Sequence, residues 1–567
     1  MKAFSRRSFL KTTFTAGAAA ALASQASLFA SAAAPSDSAA AESENCLTDL
    51  LGLNSDQPIE VAPVQLSAGT LAGFKDGDLY TFRGIPYATA ERFQDPVPVT
   101  SYTNGIQMAL TYGPVCPQDN CMNGTGKVNV QEFRTPSNGT ANMVANETCQ
   151  YLNVWTSSLE GKKPVVVFFH GGGLTNGAST ELSYYTGEYF AQREDVVFVS
   201  INHRLNVLGY LDLSPYSEKF KNSGIVGTRD CVCALQWVHD NISAFGGDPS
   251  NVTIVGQSGG GVKVTTLACM SDTVDLFNKV FVMSGGYSTG TKAEGIANGK
   301  KLVDYLGLTD AEVVEKLPTM RYEELLEAAT AAGCTWSTYV GDSTFTAPLL
   351  DANGAVNPYA AQRKWMVGTA FSEFNGNSGL ILRFDWSDFL PDISDEDAVA
   401  RLSQKYGSRT DAVVAEFGKA YPDHRLAEAL YLNTQTSGCM SRWDLIRPNG
   451  ILDQMANAGL TVYNYIDTYK FPYFGGITMH HSGDIGYWFY ALDCIGYQVK
   501  GDEKNAYAVS GRMADALAAF ATNGDPSTRT LKWPVYTASQ HNTMVFDTKT
   551  QNKVDFDKAL YQNIMNV

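Results

Sequence analysis

The feature that most constrains this chain is a serine set between glycines directly after a run of β-branched residues. Residues 252–255 (Val-Thr-Ile-Val) predict a buried strand, residues 256–260 (Gly-Gln-Ser-Gly-Gly) follow it, and a helical stretch comes next. Strand, tight turn and helix form the context of a nucleophile elbow, in which flanking glycines allow a strained serine backbone. The pattern predicts that Ser258 stands above a sheet, although a bare Gly-x-Ser-x-Gly also occurs in ordinary turns.

Further strands are predicted on both sides of this serine. Continuous apolar runs, typical of strands buried on both faces of a parallel sheet, occur at 165–169, 196–200 and 280–283. Residues 230–245 have apolar side chains at helical spacing and end at a Gly-Gly pair. This order predicts an α/β fold with a large, mostly parallel central sheet flanked by helices. Residues 301–450 show helical periodicity with few strand runs, which predicts a helical insertion covering the active site at the carboxyl edge of the sheet.

The amino terminus has the pattern of an export signal. Arg6 and Arg7 precede an Ala-rich apolar run, and residues 30–32 (Ala-Ser-Ala) offer the small side chains that a signal peptidase needs. A membrane anchor is the alternative, but Gly, Ser, Thr and Gln interrupt the run, which is shorter than the roughly 20 residues that a bilayer needs. We predict a twin-arginine signal over 1–32, a flexible leader over 33–58 and a single domain over 59–567. The mature protein is then expected in the periplasm, on the surface or outside a prokaryotic cell.

The charge balance argues against polyanionic partners. Lys and Arg number 42 and Asp and Glu 58, and loss of the predicted signal removes four basic and no acidic residues, which takes the net charge from -16 to -20. Electrostatic attraction to nucleic acid or to an anionic membrane is therefore not expected, and neither is a stable membrane anchor. The glycine clusters lack the Lys-Ser/Thr ending of a phosphate-binding loop, and no metal ligand set or cofactor site is predicted. The pattern gives no prediction of the oligomeric state.

A second glycine cluster lies one strand-loop unit upstream of the serine. Residues 170–173 (His-Gly-Gly-Gly) follow the predicted strand 165–169. Consecutive backbone N–H groups without side chains can converge on one point, which is how a tetrahedral oxyanion is stabilised. A loop of purely steric purpose is the alternative. We expect the oxyanion donors to be the amides of Gly172, Gly173 and Gly259.

A serine nucleophile needs a base, and the chain has seven histidines. In α/β hydrolases the order along the chain is serine, acid, histidine, which leaves the histidines after Ser258. These are His424, His480, His481 and His541. The pair at 480–481 lies in a Gly-flanked loop after a strand-like run at 460–466, where a base belongs. His424 and His541 lie in polar contexts and are expected to be solvated.

These motifs resemble those of the type-B carboxylesterase family, the group of cholinesterase-like and bacterial para-nitrobenzyl esterases. The resemblance runs over nearly the whole mature chain, through the segments 82–88, 147–155, 245–258 and 520–526. It implies an α/β-hydrolase fold and a serine carboxylesterase that acts on small-molecule esters without a cofactor.

The resemblance also implies the remaining site residues. The family's triad acid is a glutamate five positions after a glycine, and Glu373 stands in that relation to Gly368. The family's histidine precedes an acidic residue by three, and His481 precedes Asp484 by three, which favours it over His480. The implied triad is Ser258, Glu373 and His481, acting through a covalent acyl-enzyme.

The ten cysteines show no repeated pairs with zinc spacing, and an oxidising location makes disulfides plausible. The resemblance implies that Cys116 pairs with Cys149, with Cys121 as a nearby competitor.

Two residues beside the serine depart from the family, which usually has Glu and Ala where this chain has Gln257 and Gly259. The N–H of Gly259 is unaltered as an oxyanion donor, although its backbone is freer. Gln257 removes a carboxylate from the site.

Two other classes of function stay open. The same nucleophile could act on amides, thioesters or acetylated sugars, and the motifs do not separate these from carboxylic esters. A non-catalytic binding module of the cholinesterase-like type usually lacks a triad member, whereas this chain has all three.

Overall fold

The computed structural model describes residues 60–118, 144–286, 289–374, 392–436, 438, 440–472 and 475–567. The predicted signal peptide, the predicted leader over 33–58 and Cys121 lie outside the described residues.

The described strands, in chain order, are β1 Glu60–Leu66, β2 Gly69–Asp76, β3 Leu79–Pro86, β4 Ala88–Thr89, β5 Val97–Pro98, β6 Ile106–Met108, β7 Tyr151–Thr156, β8 Lys163–Phe169, β9 Val197–Ile201, β10 Gly247–Gln257, β11 Lys279–Met283, β12 Gly290–Thr291, β13 Tyr339–Val340, β14 Lys364–Ala370, β15 Val462–Asp467, β16 Thr543–Phe546 and β17 Gln551–Lys553.

Thirteen of these strands form one sheet in the order β1-β2-β3-β7-β9-β8-β10-β11-β14-β15-β16-β17, with β6 paired to β2. All neighbours from β9 to β16 are parallel. At the two margins of the sheet the neighbouring strands are antiparallel. These pairs are β1-β2, β2-β3, β3-β7 and β7-β9 at one edge and β16-β17 at the other. The four apolar runs of the sequence are β8, β9, β10 and β11, and their residues are buried because helices cover both faces of the parallel part. The prediction of a large, mostly parallel α/β-hydrolase sheet is confirmed.

The described helices, in chain order, are α1 Glu188–Arg193, α2 Asn206–Tyr210, α3 Val226–Asn241, α4 Gly259–Ala268, α5 Lys292–Leu306, α6 Asp310–Lys316, α7 Tyr322–Ala331, α8 Asp395–Tyr406, α9 Thr410–Ala420, α10 Arg442–Ile446, α11 Ile451–Asn457, α12 Ile485–Trp488, α13 Gly496–Val499, α14 Glu503–Asn523 and α15 Lys558–Met565.

The helix predicted over 230–245 begins earlier, at Val226, and its last turn is a 3₁₀ helix. It is α3, followed by a turn of 3₁₀ helix at Ile242–Phe245, and Gly246 closes it with φ 75°. A left-handed residue at this position lets the chain turn sharply into β10, which explains why glycine stands there.

The stretch 301–450 is helical in large part but contains one strand of the central sheet. Strand β14 lies between β11 and β15, so residues 364–370 belong to the sheet and divide the stretch into two helical parts. Its sequence, Lys-Trp-Met-Val-Gly-Thr-Ala, lacks the continuous β-branched run that marks the other central strands. Among the helices of the described ranges, none is long and apolar enough to cross a membrane.

Candidate active site

Ser258 occupies a strained turn between β10 and α4. Its backbone has φ 58° and ψ -120°, a region that residues other than glycine rarely adopt. A methyl group on Gly260 would lie 1.9 Å from the carbonyl oxygen of Phe169, and one on Gly256 would lie 2.1 Å from the carbonyl oxygen of Gly260. Glycine is therefore required on both sides of the serine. The Ser258 N–H donates to Met283 O of the neighbouring strand at 2.9 Å, which anchors the turn to the sheet.

The acid and the base are held together by side chain and backbone. Glu373, which follows β14, has φ 48° and is fully buried. Its Oε2 lies 2.5 Å from His481 Nδ1, its Oε1 accepts the Ala370 N–H at 2.8 Å, and its carbonyl accepts the His481 N–H at 3.2 Å. Because a carboxylate accepts the Nδ1 proton, the neutral ring keeps the lone pair on Nε2, where a base needs it.

The other side of the imidazole faces the elbow. The Gln257 Nε2 lies 3.3 Å from His481 Nε2, and Gln257 is 1% exposed. Ser258 is half-buried, and no hydrogen bond of its Oγ occurs among the residues that the structure describes. The Ser258 side chain is thus partly accessible to solvent.

The glycine loop lies directly against the elbow. Gly172 and Gly173 have φ of 84° and 67°, which favour glycine. A methyl group on Gly259 would lie 2.1 Å from Gly173 O, so an alanine has no room here. Within the described ranges the N–H groups of Gly172 and Gly173 donate no hydrogen bond. That of Gly259, the first residue of α4, has no acceptor inside the helix. The three predicted donors are therefore close together and available.

A buried lysine supports this loop from behind, and sequence reasoning missed it. Lys263 of α4 donates from Nζ to His170 O at 2.9 Å, and burial lowers the pKa of its ammonium group to about 8. The imidazole of His170 stacks on that of His203 at 5.1 Å, and burial holds the pKa of both far below the ordinary value. The only sequence signal was the position of a lysine one helical turn after the serine, on the face that packs under the loop.

An aromatic side chain covers the base. The ring of Phe374 lies 4.1 Å from the imidazole of His481 at an interplanar angle of 32°, yet Phe374 is 57% exposed. The ring of Phe374 thus contacts His481 and is open to solvent. Its position directly after Glu373 carried no signal in the sequence.

A second buried carboxyl lies behind the acid-base pair. Asp484 accepts a hydrogen bond from the Tyr465 hydroxyl at 3.0 Å. Burial, with a smaller contribution from the charge of Glu373, raises the pKa of Asp484 to about 7. Near neutral pH Asp484 can therefore carry a proton.

The other candidate histidines lie elsewhere. His480 stacks on Phe471 at 5.3 Å and contacts the His481 carbonyl oxygen through Nδ1 at 3.0 Å. The expectation that His424 and His541 are solvated is wrong. His541 is 7% exposed and contacts Asp453 and Asp555.

His424 is enclosed by carboxylates. Its Nδ1 lies 2.6 Å from Glu428 and its Nε2 lies 3.2 Å from Asp547. Burial lowers its pKa, but the hydrogen bonds to Asp547 and Glu428 outweigh that effect and raise the pKa to about 9. Asp547 is 123 positions away in sequence, so the local polar context could not reveal the pairing.

Cys116 and Cys149 are both buried and are free thiols in this structure. Burial raises the pKa of Cys149, and its contact with Cys116 raises it further. The Leu205 N–H donates to Cys116 Sγ at 3.2 Å. The two sulfurs are thus neighbours, and the disulfide stays a prediction. Among the described residues, no group of three or more His, Cys, Asp or Glu side chains could hold a metal ion.

A parallel sheet with a serine elbow at the carboxyl end of a central strand defines an α/β hydrolase. A profile of the carboxylesterase family matches residues 60–566. The para-nitrobenzyl esterase of Bacillus subtilis (strain 168) is 27% identical over 504 residues, which are 85% of this chain and 94% of that protein.

Two solved structures have the same fold. An esterase from Clostridium hathewayi aligns with a TM-score of 0.79 at 31% identity, over 90% of this chain and 99% of that one. Carboxylesterase EST55 of Geobacillus stearothermophilus aligns with a TM-score of 0.68 at 26% identity, over 88% and 99%. The chain belongs to the carboxylesterase family and is a carboxylic ester hydrolase.

Proposed function

We propose that the protein is a serine carboxylesterase that cleaves small carboxylic esters through a covalent acyl-enzyme on Ser258. One observation carries the proposal. The 2.5 Å contact between Glu373 Oε2 and His481 Nδ1 stands beside an elbow whose serine has φ 58°. A nucleophile, a base and a group that orients the base are the minimum set for acyl transfer.

In the first half of the reaction, Ser258 Oγ attacks the ester carbonyl while His481 Nε2 takes its proton. Glu373 stabilises the resulting imidazolium and holds its orientation. The amides of Gly172, Gly173 and Gly259 donate to the oxyanion, and loss of one such donor typically costs about 10² to 10³ in turnover. The imidazolium then gives its proton to the leaving alcohol.

In the second half, water attacks the acyl-enzyme carbonyl and His481 accepts a proton from that water. The acid is released and the proton returns to Ser258. No cofactor is needed in either half. Since His481 acts as a base only when neutral, hydrolysis is expected to fall at acidic pH.

The aromatic side chain at the base favours esters with an aromatic group. Phe374 presents an exposed ring next to His481, where it can pack against a flat apolar part of a substrate. The esterase from Clostridium hathewayi is described as able to hydrolyse aliphatic aromatic polyesters. Together these observations support aromatic carboxylic esters as a preferred substrate class.

The deciding experiment is hydrolysis of para-nitrophenyl esters of increasing acyl length, with para-nitrophenyl benzoate as the aromatic member. We expect turnover by the wild type and a loss of about 10⁴-fold or more in Ser258→Ala. Anilide, thioester and acetylated-sugar analogues in the same series separate the alternative uses of the nucleophile. If the wild type cleaves none of these compounds and a fluorophosphonate fails to label Ser258, the protein is a binding module instead.

The proposal extends to the place of action. The paired Arg6 and Arg7 and the apolar run after them support export by the twin-arginine pathway, with cleavage after Ala32. Export would favour the Cys116–Cys149 disulfide, because both thiols would reach an oxidising compartment. Expression of the chain with both arginines changed to lysine tests this point, since the esterase should then remain inside the cell as an uncleaved precursor.

A further inference from the structure

The side chain next to the nucleophile in sequence touches the base in space. Gln257 is the last residue of β10, and its Nε2 lies 3.3 Å from His481 Nε2. A methyl group on Gly171 would lie 3.0 Å from Gln257 Oε1, so glycine at 171 leaves room for this amide. Gln257 is 1% exposed, which holds the amide in one place.

The hydrogen-bond directions at this contact follow from the ring's other nitrogen. Glu373 accepts at Nδ1, so the neutral ring carries its proton there and a lone pair on Nε2. An amide –NH₂ group is a donor and fits that lone pair. The Ser258 hydroxyl, which must also use this lone pair, makes no hydrogen bond among the described residues. The amide thus orients the ring nitrogen that would take the serine proton during attack.

The groups around His481 differ between its two nitrogens. Glu373 supplies a carboxylate at Nδ1, and Asp484, held by the Tyr465 hydroxyl, lies behind Glu373 with a pKa of about 7. Phe374 covers one face of the ring. At Nε2 the contacting group is a neutral amide. A hydrogen bond to the neutral form of a titratable group favours that form, whereas a carboxylate at the same place favours the charged form.

We propose that Gln257 is a positioning residue that holds His481 as the neutral Nδ1–H tautomer with Nε2 directed toward the elbow. The inference rests on the proposed esterase function. Its consequence is that hydrolysis extends further into the acidic range than it would with a glutamate at 257.

The test compares the pH dependence of kcat/KM for a para-nitrophenyl ester in the wild type, Gln257→Glu and Gln257→Met. Glutamate is nearly isosteric and would favour the imidazolium, so the midpoint of the acidic limb should rise by about one pH unit. The midpoint is determined for each protein relative to its own plateau of kcat/KM, so a change in the height of the plateau does not affect it.

Gln257→Met removes the donor but adds no charge. We expect kcat to fall about 2- to 10-fold with little change in KM, the equivalent of one lost hydrogen bond. In Gln257→Met, the midpoint of the acidic limb of kcat/KM should shift less than it does in Gln257→Glu. If Gln257 had only a structural role, its replacement would change the urea concentration at the unfolding midpoint and leave the acidic limb of the pH profile in place. Urea unfolding is therefore measured for both variants.

The inference is overturned if Gln257→Glu keeps its limb within about 0.2 pH units of the wild type. It is also overturned if Gln257→Met equals the wild type in kcat and limb, a result that stands even if Gln257→Glu fails to fold. A failure of the proposed function looks different, because the wild type would then hydrolyse no ester and a fluorophosphonate would not label Ser258.

Discussion

His481 and His424 are two histidines that each pair with a glutamate, and they differ in the group at the second ring nitrogen. Both have a carboxylate at Nδ1, 2.5 Å away in Glu373 and 2.6 Å away in Glu428. They differ at Nε2, which faces the neutral amide of Gln257 in one case and Asp547 in the other. A carboxylate on each side holds a proton on both nitrogens of His424, whereas His481 keeps one nitrogen able to accept a proton.

The comparison extends to the rings that cover the two histidines. Phe371 stacks on His424 at 5.3 Å and is fully buried, whereas Phe374 lies tilted against His481 at 4.1 Å and is largely exposed. The two phenylalanines are three residues apart on either side of Glu373. The comparison indicates that the chemistry of a histidine depends on the partner of its second nitrogen and on solvent access, rather than on the carboxylate partner alone.

The largest expected effect separates the two histidines by activity. His481→Gln should lower kcat/KM by about 10⁴-fold or more, because Ser258 loses its base. His424→Gln should keep activity within about tenfold, since His424 lies outside the proposed triad. Para-nitrophenyl ester hydrolysis measures both. Equal losses in the two variants, at equal fractions folded, would contradict the distinction.

The second prediction exchanges the two glutamates for glutamine. Glu373→Gln should lower kcat by about 10³- to 10⁴-fold, because a neutral partner no longer fixes the tautomer or stabilises the imidazolium. Glu428→Gln is the matched control at the other histidine and should retain most of the activity. Near-normal turnover in Glu373→Gln would remove Glu373 from the triad.

The third prediction concerns stability against pH. The pKa of His424 is raised from 6.5 to about 9 in the folded protein, so its stabilising contribution is fully present below pH 6.5 and is lost as the pH rises through about 9. The shift corresponds to about 3 kcal/mol. Urea unfolding of wild type and His424→Gln should therefore show a stability difference that shrinks by about that amount between pH 6.5 and 9. A difference independent of pH would mean that His424 is not charged in the folded protein.

The smallest expected effect concerns the exposed ring at the base. Phe374→Ala should lower kcat/KM for para-nitrophenyl benzoate about 5- to 10-fold relative to para-nitrophenyl acetate, because an aromatic contact of about 1 kcal/mol is lost. The loss should appear mainly in KM. Phe374→Leu keeps apolar area without the ring, so its preference for the benzoate over the acetate should lie between those of the wild type and Phe374→Ala. If acetate and benzoate decline equally, Phe374 acts on the base and not on the substrate.

Sequence patterns predicted the parts of the molecule that depend on neighbours along the chain. Strands β8 to β11 are continuous apolar runs. The glycines at 172, 256, 259 and 260 are required because a methyl group there would lie 1.9–2.2 Å from a backbone oxygen. Strand β14 was missed because its residues lack that pattern and are specified by burial between β11 and β15. The sheet and its class were therefore predictable, and one of its central strands was not.

The sequence predicted the loop that carries Ser258 better than it predicted the surroundings of the acid and the histidines. Composition could not select Glu373 among the acids after Ser258, and only the family resemblance pointed to it. The pairing of His424 with Asp547, the support of the glycine loop by Lys263 and the contact of Phe374 with His481 all depend on the folded arrangement. Contacts between distant segments leave no periodic signal in a single chain.

The close approach of Gly173 O to Gly259 limits how the glycine loop can be placed. The two positions share one space, because a methyl group at 259 would lie 2.1 Å from the loop. A side chain at 259 would therefore displace the loop outward, whereas glycine lets the two backbones touch. The residue at 259 thus acts as a spacer whose size sets the distance between the loop and the elbow.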